Sequence, residues 1–197
     1  VPKRRQGPTV GHYMLLAALN RALAPASKVE IGPWYEGTVL RRLWGFDPKV
    51  FSSQRFWDHM DRLSAEAIDT IQDQLLARIT ERCGLDGEFL LYDPTNFFTF
   101  LASTNDRSAL ARRSKSKQKR HDLRLVGLAL LVAEPFQIPL LHHTYAGNIP
   151  DVSLFPQLGR ELLARYRKAT GQKASEATLV FDKGNVSDDA MEILVVD

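Results

Sequence analysis

One stretch of thirteen residues, Glu88–Phe100, constrains the fold of this chain more than any other. Its aromatic and aliphatic residues are typical of a β-strand, but Asp93 interrupts the apolar run and Pro94 follows it. Because proline lacks a backbone N–H, we expect the strand to bend or bulge at Pro94. A carboxylate inside a core strand carries a desolvation cost unless a positive group meets it. The alternative is a capped turn, since Asp-Pro-Thr-Asn is good turn chemistry in which Asp93 bonds the following amides.

The composition is that of a soluble globular protein, with 44% hydrophobic and 25% charged residues in 197. No apolar run approaches the ~20 residues of a membrane span, and no secretory signal is visible. A single cysteine, Cys83, excludes an internal disulfide and indicates a reducing compartment. We expect Cys83 to be a small buried apolar group at the end of a helix. The chain begins with Val1 and not with Met, so we expect it to be a piece of a longer one.

Basic residues are concentrated in one segment. Eight of the 26 Lys and Arg residues lie between Arg107 and Arg124, where Asp122 is the only acid, whereas the whole chain has a net charge of +3. This asymmetry predicts a local contact with a polyanion. The Ser, Lys and Gln content also favours disorder without a partner, and such a segment can become ordered on a phosphate backbone. The predicted DNA-binding residues are Arg112, Arg113, Lys115, Lys117, Lys119 and Arg120.

The first 84 residues are predicted to be entirely helical. The predicted helices cover Val10–Ala24, two pieces of Ala26–Gly45 separated near Gly32-Pro33, a segment after Ser52 or Ser53, and a longer segment after Ser64. The longest helix is expected to end at Gly84 and to bury a stripe formed by Ile68, Ile71, Leu75, Ile79 and Cys83. This unit either binds DNA through a short helix or only packs against the rest of the chain or a second copy. Its Trp and Phe residues are expected in a core.

From Glu88 onward the predicted order is strand, strand, strand, helix, strand, helix. The predicted strands are Glu88–Phe100, Leu123–Ala133, Ile138–Tyr145 and Thr178–Phe181. The second is apolar on both faces, as expected for a covered central strand, although its Leu and Ala residues also suit a helix. The short turn after it favours an antiparallel hairpin. Because proline is tolerated only in a first turn, Pro156 predicts that the intervening helix begins near Ser153.

Two aspartates occupy chemically significant positions on these strands. Asp93 lies on the first strand, and Asp182 directly follows the fourth, before a Gly turn and a helix. The carboxyl end of a parallel central strand is a usual place for a site in an open α/β sheet. If the first and fourth strands are neighbours, the two carboxylates face each other and can hold Mg²⁺ or Mn²⁺ for phosphodiester chemistry. The adjacent His142 and His143 would point to opposite faces of a strand and cannot chelate one ion.

Several motifs occur here in a characteristic order. They are Tyr92-Asp93-Pro94-Thr95-Asn96-Phe97, the basic segment, Asp122-Leu123-Arg124-Leu125-Val126-Gly127-Leu128, Tyr145-Ala146-Gly147-Asn148 with Asp151, and Val180-Phe181-Asp182-Lys183-Gly184-Asn185. Their order and spacing resemble bacterial insertion-sequence transposases of the DDE class. The resemblance implies a mixed α/β, ribonuclease H-like sheet with flanking helices. Residues 85–197 would form a partial catalytic domain with a basic insertion at 106–122, preceded by a helical region at 1–84.

The resemblance also assigns roles to residues. Asp93 and Asp182 would be catalytic ligands of a two-metal Mg²⁺ or Mn²⁺ site, and the residues implied in positioning are Asn148, Asp151 and Lys183. The family uses a third carboxylate, a glutamate on a helix further downstream. Glu192 lies one element too early for this role, so we expect the chain to be truncated before the third ligand and to be inactive alone.

The function implied by the resemblance is DNA transposition. The protein would carry out metal-dependent strand cleavage and strand transfer of an insertion sequence. It would act as a homodimer on element ends and target DNA, in a prokaryotic cytoplasm in association with the nucleoid, and without a membrane partner. Two alternatives stay open: a non-catalytic DNA-binding or assembly remnant of a transposase, and another metal-dependent nuclease with the same core.

Overall fold

The structure is a computed structural model that describes residues 7–85, 89–101, 104–105, 107–114, 122–171, 178–183, 187 and 191. The chain divides into two compact units, residues 1–69 and residues 70–197. The boundary at residue 84 that the sequence suggests stays a prediction. Within the described ranges, no helix is both long enough and apolar enough to cross a membrane.

The first unit is helical, as predicted. Its helices are α1 (Val10–Leu23), α2 (Ile31–Glu36), α3 (Val39–Trp44) and α4 (Ser53–Met60), with a 3₁₀ turn at Pro48–Val50. Its buried core consists largely of aromatic side chains; the members are Tyr13, Leu16, Ile31, Tyr35, Phe51 and Phe56. This confirms the expected role of the Phe residues, but Trp57 is 50% exposed, so its predicted place in the core is wrong. The Tyr13 hydroxyl donates a hydrogen bond of 2.6 Å to the carbonyl of Val50, which ties α1 to the 3₁₀ turn.

The helix break predicted near Gly32-Pro33 is wrong. Helix α2 runs through both residues, and the chain breaks instead at Gly37 and Thr38. Pro33 is the third residue of α2, where a backbone N–H has no partner within the helix, so its absence costs no bond. Gly32 has a packing role, because a Cβ atom there would lie 3.0 Å from the carbonyl oxygen of Pro48.

Helix α5 (Ala65–Cys83) buries a different face from the one predicted. Its buried residues are Gln72 and Leu76, whereas three members of the predicted stripe are exposed: Ile68 by 39%, Ile71 by 45% and Leu75 by 52%. The polar Gln72 is buried because its Oε1 accepts a hydrogen bond of 2.9 Å from the backbone N–H of His142. Cys83 is exposed, so its predicted burial is also wrong. Gly84 has a φ of +60°, which agrees with the predicted helix end.

The second unit contains a four-stranded mixed sheet within its described residues. Its elements are β1 (Phe89–Thr99), β2 (Arg124–Ala133), β3 (Ile138–Ala146), α6 (Asp151–Thr170) and β4 (Thr178–Phe181). The strand order is β3-β2-β1-β4, in which β2 is antiparallel to both neighbours and β4 is parallel to β1. The mixed α/β class is therefore confirmed, and the segment that could have been a helix is the central strand β2.

Helix α6 covers one face of the sheet. Its buried side chains pack against the buried residues of β1, β2 and β3; those of the helix are Phe155, Leu158, Leu162, Leu163 and Tyr166. The predicted start near Ser153 is wrong, because α6 begins at Asp151 and Pro156 lies in its second turn. The missing N–H of Pro156 deprives only the carbonyl of Val152, and Val152 is exposed, so water can bond that carbonyl. The helix predicted after Ser187 lies, apart from Ser187 and Met191, outside the described residues.

Strand β1 passes through Asp93 and Pro94 without interruption, so the predicted bend or bulge and the alternative capped turn are both wrong. The N–H of Glu134 bonds the carbonyl of Phe89, which marks Phe89 as a hydrogen-bonded position towards β2. Because these positions alternate, Pro94 falls at a non-hydrogen-bonded position opposite Ala129. Its nitrogen is directed towards the β4 side, where β4 has already ended, and no ladder bond is lost.

Candidate functional site

The parallel pairing of β1 with β4 ends directly before the two candidate carboxylates. The last paired residues are Tyr92 and Phe181, and each immediately precedes an aspartate. If the register continued by one residue beyond the described pairing, Asp93 would lie beside Asp182, at the ~4.8 Å spacing of neighbouring strands. Neighbours in the same row of a sheet point to the same face, and both aspartates are exposed.

The residues that directly precede the two aspartates lie on the α6 side of the sheet. Tyr92 is 2% exposed and packs against α6, so the next residue, Asp93, points away from that helix. The Phe181 ring also faces α6, with its centroid 4.4 Å from that of Phe155, and the exposed Asp182 directly follows it. The alternation of strand residues therefore separates a buried aromatic layer from an exposed carboxylate pair.

Exposed carboxylate oxygens are suitable ligands for a hard divalent cation such as Mg²⁺ or Mn²⁺. Throughout the part of the chain that the structure describes, no group of three or more His, Cys, Asp and Glu side chains comes together to hold a metal. Asp93 and Asp182 thus fit such an ion as part of a coordination shell, with water and substrate oxygens supplying the remainder. Glu192 lies outside the described residues.

The residues expected to have positioning roles lie at three different places. Lys183 is exposed and directly follows Asp182, and Asn148 is exposed in the turn after β3. Asp151 begins α6, and its Oδ1 accepts a hydrogen bond of 2.6 Å from the hydroxyl of Tyr145. Because Tyr145 is buried in the core beneath α6, Asp151 lies on the opposite side of the sheet from the carboxylate pair.

Tyr145, Tyr92 and Asp151 form a polar group within this apolar layer. Burial, the hydrogen bond to Asp151 and the charge of that carboxylate all raise the pKa of Tyr145. Burial and, second, the charge of Asp151 raise the pKa of Tyr92. The Tyr92 hydroxyl is buried and makes no hydrogen bond to any described residue. Gly127 provides the space for the Tyr145 ring, because a Cβ there would lie within 2.5 Å of the ring carbon Cδ2.

Phe155 is not among the site residues predicted from the sequence, but its ring lies between the two strands that lead to the aspartates. The Phe155 ring is fully buried, 4.7 Å from the ring of Tyr92 and 4.4 Å from that of Phe181 between centroids. It therefore contacts both residues that precede the two aspartates. The signal in the sequence was the repeated pattern of an aromatic residue directly followed by Asp, at Tyr92-Asp93 and Phe181-Asp182.

The base of the basic segment is attached to the sheet. The backbone of Arg112 exchanges two hydrogen bonds with that of Leu125 at the start of β2, of 3.0 and 2.7 Å. The carbonyl of Leu110 accepts a bond of 3.0 Å from the N–H of Gly147 after β3. Arg112 and Arg113 are both exposed. The other predicted DNA-binding residues lie outside the described residues; they are Lys115, Lys117, Lys119 and Arg120.

The sheet register gives the distance from this base to the carboxylates. Leu125 lies opposite Phe98, five residues beyond Asp93 along β1, which corresponds to about 17 Å at ~3.4 Å per residue. Since β1 occupies one side of β2, Arg112 pairs on the other side, two strand spacings of ~4.8 Å from β1. The Cα atoms of Arg112 and Asp93 are thus about 20 Å apart, which is roughly six nucleotides along one strand of duplex DNA.

No protein-family model matches this chain, and no curated protein sequence matches it. Three similar solved structures are complexes of the Mos1 transposase. The "Mos1 transposase paired-end complex with left transposon end" has a TM-score of 0.38 and 9% identity, covering 99% of this chain and 59% of that chain. A pre-cleavage Mos1 transpososome has a TM-score of 0.38, 8% identity and the same coverage of 99% and 59%. The Mos1 strand transfer complex has a TM-score of 0.33 and 10% identity, covering 99% of this chain and 58% of that chain.

This chain therefore spans less than two thirds of the length of each of these Mos1 chains. Similarity at this level assigns neither a family nor an activity, and the fold class rests on the strand order and directions within the sheet.

Proposed function

We propose that this chain is part of a DNA transposase that uses a divalent metal to cleave phosphodiester bonds and to transfer the cut strand. The observation that supports the proposal is the parallel register of β1 and β4, whose last paired residues, Tyr92 and Phe181, directly precede Asp93 and Asp182. The motifs that resemble insertion-sequence transposases support it. So does the attachment of the base of the basic segment to the end of the sheet towards which β1 and β4 both run.

In this proposal Asp93 and Asp182 bind Mg²⁺ or Mn²⁺ through their carboxylate oxygens. When bound, such ions supply activation of the attacking water or 3′-hydroxyl and stabilisation of the leaving oxygen. The protein holds the two carboxylates in one row of the sheet and keeps that face free of α6. The remaining ligand positions are left for DNA oxygens, water and a third carboxylate, which the resemblance places downstream.

Arg112 and Arg113 contact the DNA backbone in this proposal, together with the lysines and arginine that follow them. Lys183, beside Asp182, is exposed and can contact a phosphate near the cleaved bond. Contacts of this kind position the duplex without reading its sequence. The homodimeric state and the association with the nucleoid stay predictions.

The metal site can be tested without catalysis. Binding of Mn²⁺ by the purified chain is measured from the loss of the electron paramagnetic resonance signal of free Mn²⁺. We expect Asp93→Asn and Asp182→Asn each to weaken binding by about tenfold or more, because each removes a charged ligand. Glu134→Gln is the matched control, since Glu134 is an exposed carboxylate at the other end of the same sheet. Equal binding by all three variants and the wild type would overturn the proposed site.

A DNA-binding measurement separates the alternatives. Fluorescence anisotropy with a labelled duplex gives the affinity, and a supercoiled plasmid with Mn²⁺ reports nicking. Salt-dependent DNA binding without any Mn²⁺ binding would favour a non-catalytic remnant over the enzyme. Nicking by the 197-residue chain that is lost in Asp93→Asn would show that the third ligand lies within the chain, with Glu192 as the first residue to replace.

A further inference from the structure

We propose that the first two turns of α6 are a platform that fixes the separation of Asp93 and Asp182, with Phe155 and Asp151 as its positioning residues. This inference rests on the proposed metal site. It proposes that residues on the buried side of the sheet control the distance between the two aspartates on the exposed side. Neither positioning residue touches the metal ligands, so both act through the residues that they hold.

Phe155 holds the two strands at the point where they meet the site. Its ring lies 4.7 Å from that of Tyr92 and 4.4 Å from that of Phe181, between centroids. These two residues are the last paired positions of β1 and β4, and each is bonded directly to a carboxylate-bearing residue. The pairing covers only four residues, and β4 lies at the edge of the described sheet. A single ring that packs against both strands therefore limits how far the end of β4 can move from β1.

Asp151 holds the platform itself in place. It opens α6, where a negative charge is favourable because of the helix dipole, and accepts the 2.6 Å hydrogen bond from Tyr145 on β3. Tyr145 lies flat over Gly127 of β2, so this bond fixes the start of α6 against two strands. Phe155 follows one turn later on the same helix. The start of α6 is thus fixed to β3 by Asp151 in the first turn and to β1 and β4 by Phe155 in the second.

The separation of the carboxylates matters because metal sites require accurate geometry. Paired catalytic ions lie ~3.5–4 Å apart, and their ligands must be held to within about 0.5 Å. Exposed aspartates on neighbouring strands have freedom to rotate and, at the edge, to separate. The platform prevents the two strands from separating, so that only the rotation of the aspartate side chains remains.

The first test measures the separation without a metal. In a Cys83→Ser background, Asp93→Cys and Asp182→Cys form a pair whose Cα atoms, at about 4.8 Å, lie within the ~4.4–6.8 Å window for a disulfide. The effective concentration of the two thiols is measured against a glutathione redox buffer. Phe155→Leu should lower it at least about fivefold, and Leu162→Ala, on the same helix and 1% exposed, should change it less than twofold. Circular dichroism confirms that both variants are folded at the temperature used.

A conservative variant distinguishes positioning from general stability. Asp151→Asn keeps an oxygen that can accept the hydrogen bond from Tyr145, so it should retain the wild-type effective concentration, whereas Asp151→Ala should lower it as Phe155→Leu does. The second test repeats Mn²⁺ binding with the natural aspartates, where Phe155→Leu should weaken binding by about tenfold relative to Leu162→Ala.

The outcomes separate this inference from the proposed function. If Asp93→Asn leaves Mn²⁺ binding unchanged, the proposed metal site fails, and the thiol measurement still decides on the platform. If Asp93→Asn abolishes binding while Phe155→Leu and Leu162→Ala behave alike in both tests, the platform is overturned. Failure of the cysteine pair to form any disulfide would also overturn it.

Discussion

Replacing Gly127 by Ala is a sharp test of the buried group beneath the site. A Cβ at this position would lie within 2.5 Å of Cδ2 of Tyr145 and closer still to Cε2 and Cζ. The ring must therefore move, and its hydroxyl is already committed to the 2.6 Å bond with Asp151. Overpacking of this kind costs about 1–3 kcal/mol, and loss of a hydrogen bond to a charged group costs about 1.5–3 kcal/mol. Because a partial movement of the Tyr145 ring can relieve the clash or keep the hydrogen bond, the two costs do not add in full. We expect the free energy of unfolding of the second unit to fall by about 2–4 kcal/mol.

The assay must report on the second unit, because the two units can unfold separately. Hydrogen exchange of peptides from β2 and β3 gives the local free energy of opening, which should fall by the same amount. The three tryptophans all lie in residues 1–69, namely Trp34, Trp44 and Trp57, so tryptophan fluorescence in urea follows the other unit. Gly11→Ala in the first unit is the control for a Gly-to-Ala change without a clash, and tryptophan fluorescence follows it. Its Cβ would make only an ordinary 3.6 Å contact, and alanine favours the helix, so no loss of stability is expected.

A second background isolates the contact with the ring. In a Tyr145→Ala protein the space above Gly127 is open, so Gly127→Ala should cost less than about 0.5 kcal/mol there. The difference between the two backgrounds is the interaction energy of the pair. A cost below about 0.5 kcal/mol in the natural background, or an equal cost in both, would refute the steric reasoning.

Three other predictions concern charge and exposure. Replacing Arg112 and Arg113 by Ala should flatten the plot of log affinity for duplex DNA against log salt by up to about 1.8, since each phosphate contact contributes about 0.9; an unchanged slope in fluorescence anisotropy would exclude both contacts. Because the folded pKa values of Tyr92 and Tyr145 lie above the usual value of about 10, the unfolded state releases these protons first and stability should fall as the pH rises above about 10. Urea titrations at pH 9 and 11 should show a smaller fall for Tyr92→Phe and Tyr145→Phe. Exposed Cys83 should react with a disulfide reagent in the native protein, and a requirement for denaturant would contradict its exposure.

The strands of the second unit were readable from the sequence because each combines a suitable length with turn residues at its ends. For β2 the apolar character of both faces indicated a central strand, and the register confirms this position between β1 and β3. The effect of Pro94 was not readable. It depends on whether the proline nitrogen is directed towards a bonded neighbour, and only the pairing with β2 and the length of β4 determine that.

Helix α5 shows the limit of periodicity. Spacings of three and four residues described a valid apolar stripe, but the buried face is centred on Gln72 and Leu76, about one residue further round the helix. A buried glutamine is stable there because the N–H of His142 meets its side chain, and that partner is 70 residues away in the chain. Local sequence holds no information about such a partner.

Only part of the candidate site could be proposed from the sequence. Asp93 interrupts an apolar strand and Asp182 directly follows one, so both could be proposed as site residues from their residue type and position. Phe155 could not, because a phenylalanine on a helical stripe looks like any other core residue. Its contact with both strands follows from the parallel pairing of β1 and β4, which is a property of the tertiary structure.

The two faces of the sheet determine how DNA can reach the proposed site. Helix α6 covers the face that carries Tyr92 and Phe181, so a duplex cannot approach from that side. On the opposite face Asp93 and Asp182 are exposed, and so is Val180, by 45%, in the same row as Leu91. Strand β1 then continues for six residues beyond Asp93, alongside the start of β2, towards the anchored basic segment. A duplex that lies along this extension can place one phosphate at the carboxylates and another, about six nucleotides away, near the base of the basic segment.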